Sequence, residues 1–189
     1  SYSVTGVQTC ALPICIMAGG DIALRRSVEG AEDDDAAGAK EIAVRQIRSK
    51  DVVLGIAASG TTPFVWGALR EAKRRRATTI LLCFNPFLSI PGALRPPLGI
   101  APNLGPEVLT GSTRLKAGTA TKLVLNLITT LAMVRLGKVK SNLMVDVVPS
   151  NAKLRDRAVR IVQQLTNRSY EQSEAALRRN SWVIQRAGR

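Results

Sequence analysis

Residues able to do chemistry gather in a few places along this chain. Gly105 to Lys116 reads Gly-Pro-Glu-Val-Leu-Thr-Gly-Ser-Thr-Arg-Leu-Lys, which puts the Glu107 carboxylate, the hydroxyls of Thr110, Ser112 and Thr113, and the cations Arg114 and Lys116 in one polar loop. Ser59-Gly60-Thr61-Thr62-Pro63 is a second loop rich in hydroxyls, and Glu29, Glu32, Asp33, Asp34 and Asp35 form an acidic cluster. Hydroxyls and free backbone N–H groups at the start of a helix stabilise an anion, so both loops suit a phosphate ester. The same residues also serve as ordinary caps and turns. The acidic cluster reads either as a solvated turn ahead of a helix or as a source of one carboxylate for a site, and composition alone favours the turn. With no histidine in the chain, acid–base work falls to carboxylates. Cys10, Cys15 and Cys83 stand at no metal-ligand spacing and form no disulfide framework, which points to a reducing cytoplasm.

These loops need elements to hold them. Asp51 to Ala58 is a short apolar run suited to a strand buried on both faces. The Ser59 loop follows it, and Phe64 to Ala72 reads as a helix with Pro63 near its first turn. Strand, loop and helix in that order make a parallel-sheet crossover with an anion site at the strand's carboxyl end. The loop lacks the lysine of the longer nucleotide-binding P-loop, so nucleoside triphosphate binding is not supported. Thr78 to Phe84 is a second buried strand and Leu98 to Ala101 a short edge strand. The Gly105 loop then feeds a long helix reaching about Leu136, with Leu115, Leu123, Leu127, Leu131 and Val134 on one face expected to be buried. Strands alternating with helices predict an α/β layered fold with right-handed crossovers.

The chain has 189 residues, 46% of them hydrophobic, enough for a packed core. Aromatic residues make up 4%, too few for single-strand stacking platforms. The net charge of +13 invites a nucleic-acid partner. The cations are spread along the chain, however, and the one knot, Arg70 with Lys73 to Arg76, closes a helix, where positive charge complements the dipole. No run of about 18 consecutive apolar residues is present, so no membrane span is expected. Ser1 to Cys15 has neither a clear period nor the marks of a signal peptide. It is expected to be a non-native leader over 1–16, with the genuine frame opening near Ile16 or Met17. Gly19-Gly20 is expected to end a strand, and the dozen residues after it to form a helix ending near Gly30. Asn151 predicts a helix cap with Leu154, Ala158, Ile161, Val162 and Leu165 inward, and Ser169 begins another capped helix.

Val28-Glu29-Gly30-Ala31-Glu32-Asp33, Gly55 to Gly60 with Thr62-Pro63, Glu107 to Ser112 through Lys116 to Ala120, and Asn142-Leu143-Met144-Val145-Asp146-Val147 occur in one order. Together they resemble the N-acetylmuramic acid 6-phosphate etherases, which belong to the sugar isomerase (SIS) domain superfamily and are similar to the glucokinase regulatory protein. The resemblance covers roughly 17–187. It implies an SIS-type three-layer α/β/α fold over 17–150, followed by a helical region over 151–189. It also implies a cytoplasmic homodimer that cleaves the D-lactyl ether of N-acetylmuramic acid 6-phosphate, giving N-acetylglucosamine 6-phosphate and D-lactate in cell-wall sugar recycling. No metal, cofactor, nucleic acid or membrane is implied. In the ring-opened sugar the aldehyde acidifies the C2 proton, so a carboxylate can remove it while a second acid protonates the departing lactyl oxygen. Glu32 matches the second of the family's catalytic glutamates. On the same resemblance Ser59, Thr61, Thr62, Glu107, Thr110, Ser112 and Lys116 are expected to hold the sugar phosphate.

There are departures from the family pattern. Its first phosphate loop and proton-donor glutamate lie upstream of Met17, where this chain carries the leader, and position 61 is Thr where members often have Arg. The chain also stops short of the complete C-terminal helical region, which is expected to leave Trp182 and Val183 exposed. A non-catalytic sugar-phosphate-binding regulatory module is the alternative. Because of the upstream departures, the purified 189-residue chain is expected to have little or no etherase activity; release of D-lactate at a normal rate contradicts this.

Overall fold

The computed structural model describes residues 13–188. Most of the expected leader, with Cys10, lies outside the described residues. In chain order the elements are α1 (Gly20–Ala23), a 3₁₀ turn (Ala31–Asp33), α2 (Asp35–Val44), β1 (Val52–Ile56), α3 (Pro63–Arg74), β2 (Thr78–Leu82), β3 (Leu98–Ile100), α4 (Lys116–Arg135), β4 (Val139–Lys140), β5 (Leu143–Met144), α5 (Ala152–Thr166), α6 (Tyr170–Arg179) and α7 (Ile184–Ala187). They form a parallel sheet flanked by helices, followed by a helical region, an SIS-type α/β arrangement. The chain divides into two compact units, one ending at Leu123 and the other beginning at Val124.

In the first unit, β1, β2 and β3 pair in sequence order and all parallel, with Gly55 opposite Leu81 and Ile80 opposite Leu98. Side chains alternate across a strand, so Val53, Gly55, Thr79 and Leu81 share one face. That face carries the core: Leu69 of α3 packs with Leu81 and Cys83, and Ile42 of α2 packs with Ala72 and Ala77. Val52, Ile56 and Leu98 fall on the opposite face by the same register, and they are 62%, 37% and 52% exposed. Leu82 on that face is nevertheless fully buried, so the expectation of a strand buried on both faces holds at the end of β2 and fails for β1, where Val52 and Ile56 are left uncovered opposite α2 and α3.

Two glycines set the spacing of that cover. A Cβ at Gly38 would lie 1.9 Å from the Phe64 carbonyl oxygen, and one at Gly67 would lie 1.9 Å from that of Asp35. The two helices meet backbone to backbone, so any side chain at either position overpacks the contact. Arg70 of α3 pairs with Asp35 beside it. The last turn of α3 agrees with the reading of the basic knot: Glu71 accepts from Arg74 at 2.7 Å and from Arg75 at 2.6 Å. Those two guanidiniums, Arg74 first, hold the Glu71 carboxyl down at about 2.

Other expectations are corrected. In place of the helix expected up to Gly30 the chain forms the single turn of α1, with no strand ahead of it among the described residues; left-handed Gly19 and Gly20 begin this turn and it ends by Leu24, well before the 3₁₀ turn at Ala31–Asp33. The α4 helix has the predicted extent but not the predicted burial. Leu115 just ahead of it and Leu123, Leu127, Leu131 and Val134 along it are all exposed, and Ala117 is its only buried residue. Periodicity reports an apolar stripe, not what covers it. By length and composition α4 is also long and apolar enough to cross a membrane, although Lys122 and Asn126 interrupt it.

In the second unit, β4 and β5 form an antiparallel ribbon tied by the Lys138–Asp146 ion pair. Ala158, Val159, Ile161 and Val162 of α5 pack with Ala176 and Leu177 of α6 and with Ile184 and Ala187 of α7. Asn151 caps α5 through the Leu154 amide at 2.9 Å, and Ser169 with Gln172 makes a full capping box on α6, as the sequence predicts. Trp182 is not left bare: it packs against this core, with the Arg155 guanidinium 5.4 Å from its ring centre.

Gly67→Ala should lower the unfolding free energy by about 1–3 kcal/mol. Gly118→Ala, in α4 with open space around it, should raise it by about 0.5–1 kcal/mol. Urea unfolding of both variants checks the contrast.

Candidate functional site

Helix α3 ties together two of the chemistry-bearing stretches. The turn carrying Glu32 packs against α3, and the Ser59 loop leads directly into its first residue. In that loop the Ser59 and Thr61 hydroxyls lie 2.8 Å apart, and the Thr61 amide donates to Ser59 Oγ at 3.2 Å. Gly60 sits between them at φ 83°, a left-handed conformation, and an added Cβ would meet Leu88 at 2.3 Å. Its carbonyl accepts from the Trp66 indole at 2.8 Å, which pins the loop to the second turn of α3. Thr62 is the N-cap residue, yet its side chain makes no capping hydrogen bond, and Pro63 fills the first helical position. The start of α3 thus presents hydroxyls and an open positive dipole end.

The acidic cluster sorts itself by partner. Asp34 caps α2 through the Ala37 amide at 2.8 Å, Asp35 pairs with Arg70, and Glu29 accepts from Ser27 Oγ at 3.0 Å. Among the described residues, Glu32 and Asp33 take no hydrogen-bonding or ionic partner through their side chains. The sequence could not separate these carboxylates, because all five suit a turn before a helix.

The Gly105 loop is arranged differently. Glu107 sends one carboxylate oxygen to the Lys116 amide at 2.9 Å and the other to the Ala117 amide at 3.0 Å, so it caps α4 from nine and ten residues upstream. Lys116 Nζ donates to the carbonyls of Leu104 at 3.3 Å and Pro106 at 2.8 Å. Thr110 is exposed, and Ser112 uses its hydroxyl to accept from the Arg114 amide at 3.3 Å. The start of α4 already holds an anion, which is the Glu107 carboxylate. Sequence reasoning missed this, because the usual capping spacing is three residues.

The amides of Ala117 and then Lys116 hold the Glu107 carboxyl below its ordinary 4.5. A depressed folded-state value means that its contribution to stability is fully present above that range and is lost as pH falls through the folded-state value. The stability difference between the unaltered chain and Glu107→Gln should therefore be largest near neutral pH and shrink on acidification below about pH 4; urea unfolding across a pH series measures it.

Comparisons with known proteins bear on this arrangement. The model of the glucokinase regulatory protein N-terminal SIS domain matches residues 5–73, and that of the C-terminal lid domain of glucokinase regulatory protein matches residues 141–187. An N-acetylmuramic acid 6-phosphate etherase of Gloeobacter violaceus is 60% identical over 151 residues, which is 80% of this chain and 49% of that protein. Proteins of the same name from Mesorhizobium japonicum and Erwinia tasmaniensis are 52% and 48% identical, over 89% and 92% of this chain and 54% and 56% of their own lengths. The chain spans about half the length of the curated relatives it matches. With an SIS-type sheet, hydroxyl loops at its helix starts and identity at this level, the chain is a partial-length homologue of the N-acetylmuramic acid 6-phosphate etherases.

Proposed function

We propose that the whole protein is a carbon–oxygen lyase that cleaves the D-lactyl ether of N-acetylmuramic acid 6-phosphate by elimination and water addition. The observation that carries this reading is the 48–60% identity to relatives bearing that activity in their name. Residues 17–150 form the sugar-phosphate-binding domain and 151–189 begin a helical region. The phosphate docks at the start of α3, where Ser59, Thr61 and Thr62 supply hydroxyls, and the Gly105 loop adds those of Thr110 and Ser112. Glu32 serves in acid–base transfer: one carboxylate takes the C2 proton of the open-chain sugar, a second acid protonates the lactyl oxygen as the C3–O bond breaks, and water then adds at C3. Carboxylates suffice for these steps without a cofactor. A cytoplasmic site accords with the free, buried Cys83. A homodimer would give the exposed apolar residues of α4 a partner surface.

A regulatory sugar-phosphate sensor is the second reading, favoured by the matches to the glucokinase regulatory protein. In the full-length protein, Glu32→Gln should cut D-lactate release by about 10²–10⁴-fold while N-acetylmuramic acid 6-phosphate still binds. Unchanged turnover removes Glu32 from the chemistry. Binding without turnover in the unaltered full-length protein supports the sensor instead.

A further inference from the structure

Glu107 and Lys116 act on each other's backbone in opposite senses. The carboxylate on the segment entering the loop caps the first two amides of α4, and the ammonium on the first residue of α4 caps two carbonyls of that entering segment. Residues Val108 to Leu115 are thereby closed into a ring by non-covalent links at both ends. Little inside the ring would hold it otherwise. Val108 and Leu109 are 87% and 68% exposed, so neither anchors the loop by packing. The internal bonds are local ones, Ser112 N to Leu109 O at 3.0 Å and Arg114 N to Ser112 Oγ, and Gly111 takes a left-handed φ of 85° at the tip. A loop with exposed apolar residues and short-range bonds alone opens readily unless its ends are fixed.

The clasp also alters what α4 can offer a ligand. Both carboxylate oxygens of Glu107 are engaged by the amides that would otherwise receive an anion, and a second anion placed there would face their negative charge. The contrast with α3 is direct, since Thr62 leaves the start of that helix without a side-chain cap.

We propose that Glu107 is a positioning residue: with Lys116 it fixes the Gly105 loop so that Thr110, Ser112 and Thr113 are presented in one arrangement before substrate arrives, and it directs the substrate phosphate away from α4 and toward the Ser59 to Thr62 loop. The identity of the substrate rests on the etherase reading, whereas the clasp does not. A carboxyl held below its usual range by two amides is also a weak base for a carbon-bound proton, in keeping with a role in holding rather than in proton transfer.

Two measurements test this and fail independently of each other. In the 189-residue chain, without substrate, limited trypsin digestion read by mass spectrometry reports opening of the loop through cleavage after Arg114, with cleavage after Lys140 in the second unit as the reference. Relative to that reference, cleavage after Arg114 should rise about tenfold or more in Glu107→Gln and in Lys116→Met. Equal relative rates in all three proteins overturn the clasp. In the full-length protein, Glu107→Gln should raise the KM for N-acetylmuramic acid 6-phosphate about tenfold, with kcat changed by less than about twofold and its pH profile unmoved. A fall in kcat at constant KM, or a shifted pH profile, overturns the positioning role and puts Glu107 on the reacting atoms. If the unaltered full-length protein releases no D-lactate, the etherase reading falls, and the digestion alone decides for or against the clasp.

Discussion

The backbone contact between α2 and α3 is the constraint on which the described site depends. Gly38 and Gly67 each face a carbonyl oxygen of the other helix at a distance no side chain could accept. That approach sets α3 against α2, and Leu69 on α3 then reaches Leu81 and Cys83 on the sheet. The 3₁₀ turn bearing Glu32 precedes α2 and leans on α3, while the Ser59 loop is the lead-in to α3. A shift at the glycine contact would therefore move the carboxylate and the hydroxyl loop relative to each other. Close packing of this kind resists continuous deformation, since interiors have no spare volume to absorb a methyl group.

The two long loops at the carboxyl ends of strands solve one electrostatic problem in different ways. Every helix begins with unpaired amides and a positive dipole end. At α4 that demand is met internally by Glu107. At α3 it is left to hydroxyls that hydrogen-bond one another and to a proline that removes one of the amides. An incoming phosphate finds a filled site at one helix and an open one at the other. Local sequence conceals this difference, because both loops contain glycine, serine and threonine in similar density.

The apolar surface of the first unit follows from covering one face of a parallel sheet. Val52, Ile56 and Leu98 remain in contact with solvent, and so do Leu115 and Leu123 within the same unit. Parallel sheets are ordinarily covered on both faces, so this is the surface that further chain or a partner would bury.

Sequence by itself determined the order and type of the main elements. Apolar runs such as Val52 to Ile56 and Thr78 to Leu82, the proline opening α3, and the caps at Asn151 and Ser169 are local signals, set by side-chain periodicity and by the few residues able to satisfy a helix start. The motif order along the chain carried the family. Tertiary structure alone decided which of five neighbouring carboxylates is spent on a cap, on an arginine or on neither, and that Glu107 reaches nine residues along the chain to seat on α4. It also decided that the long apolar stripe of α4 is bare. Each of these depends on what lies across from a residue in space, and periodicity and composition encode a residue's own preference without naming the partner that satisfies it.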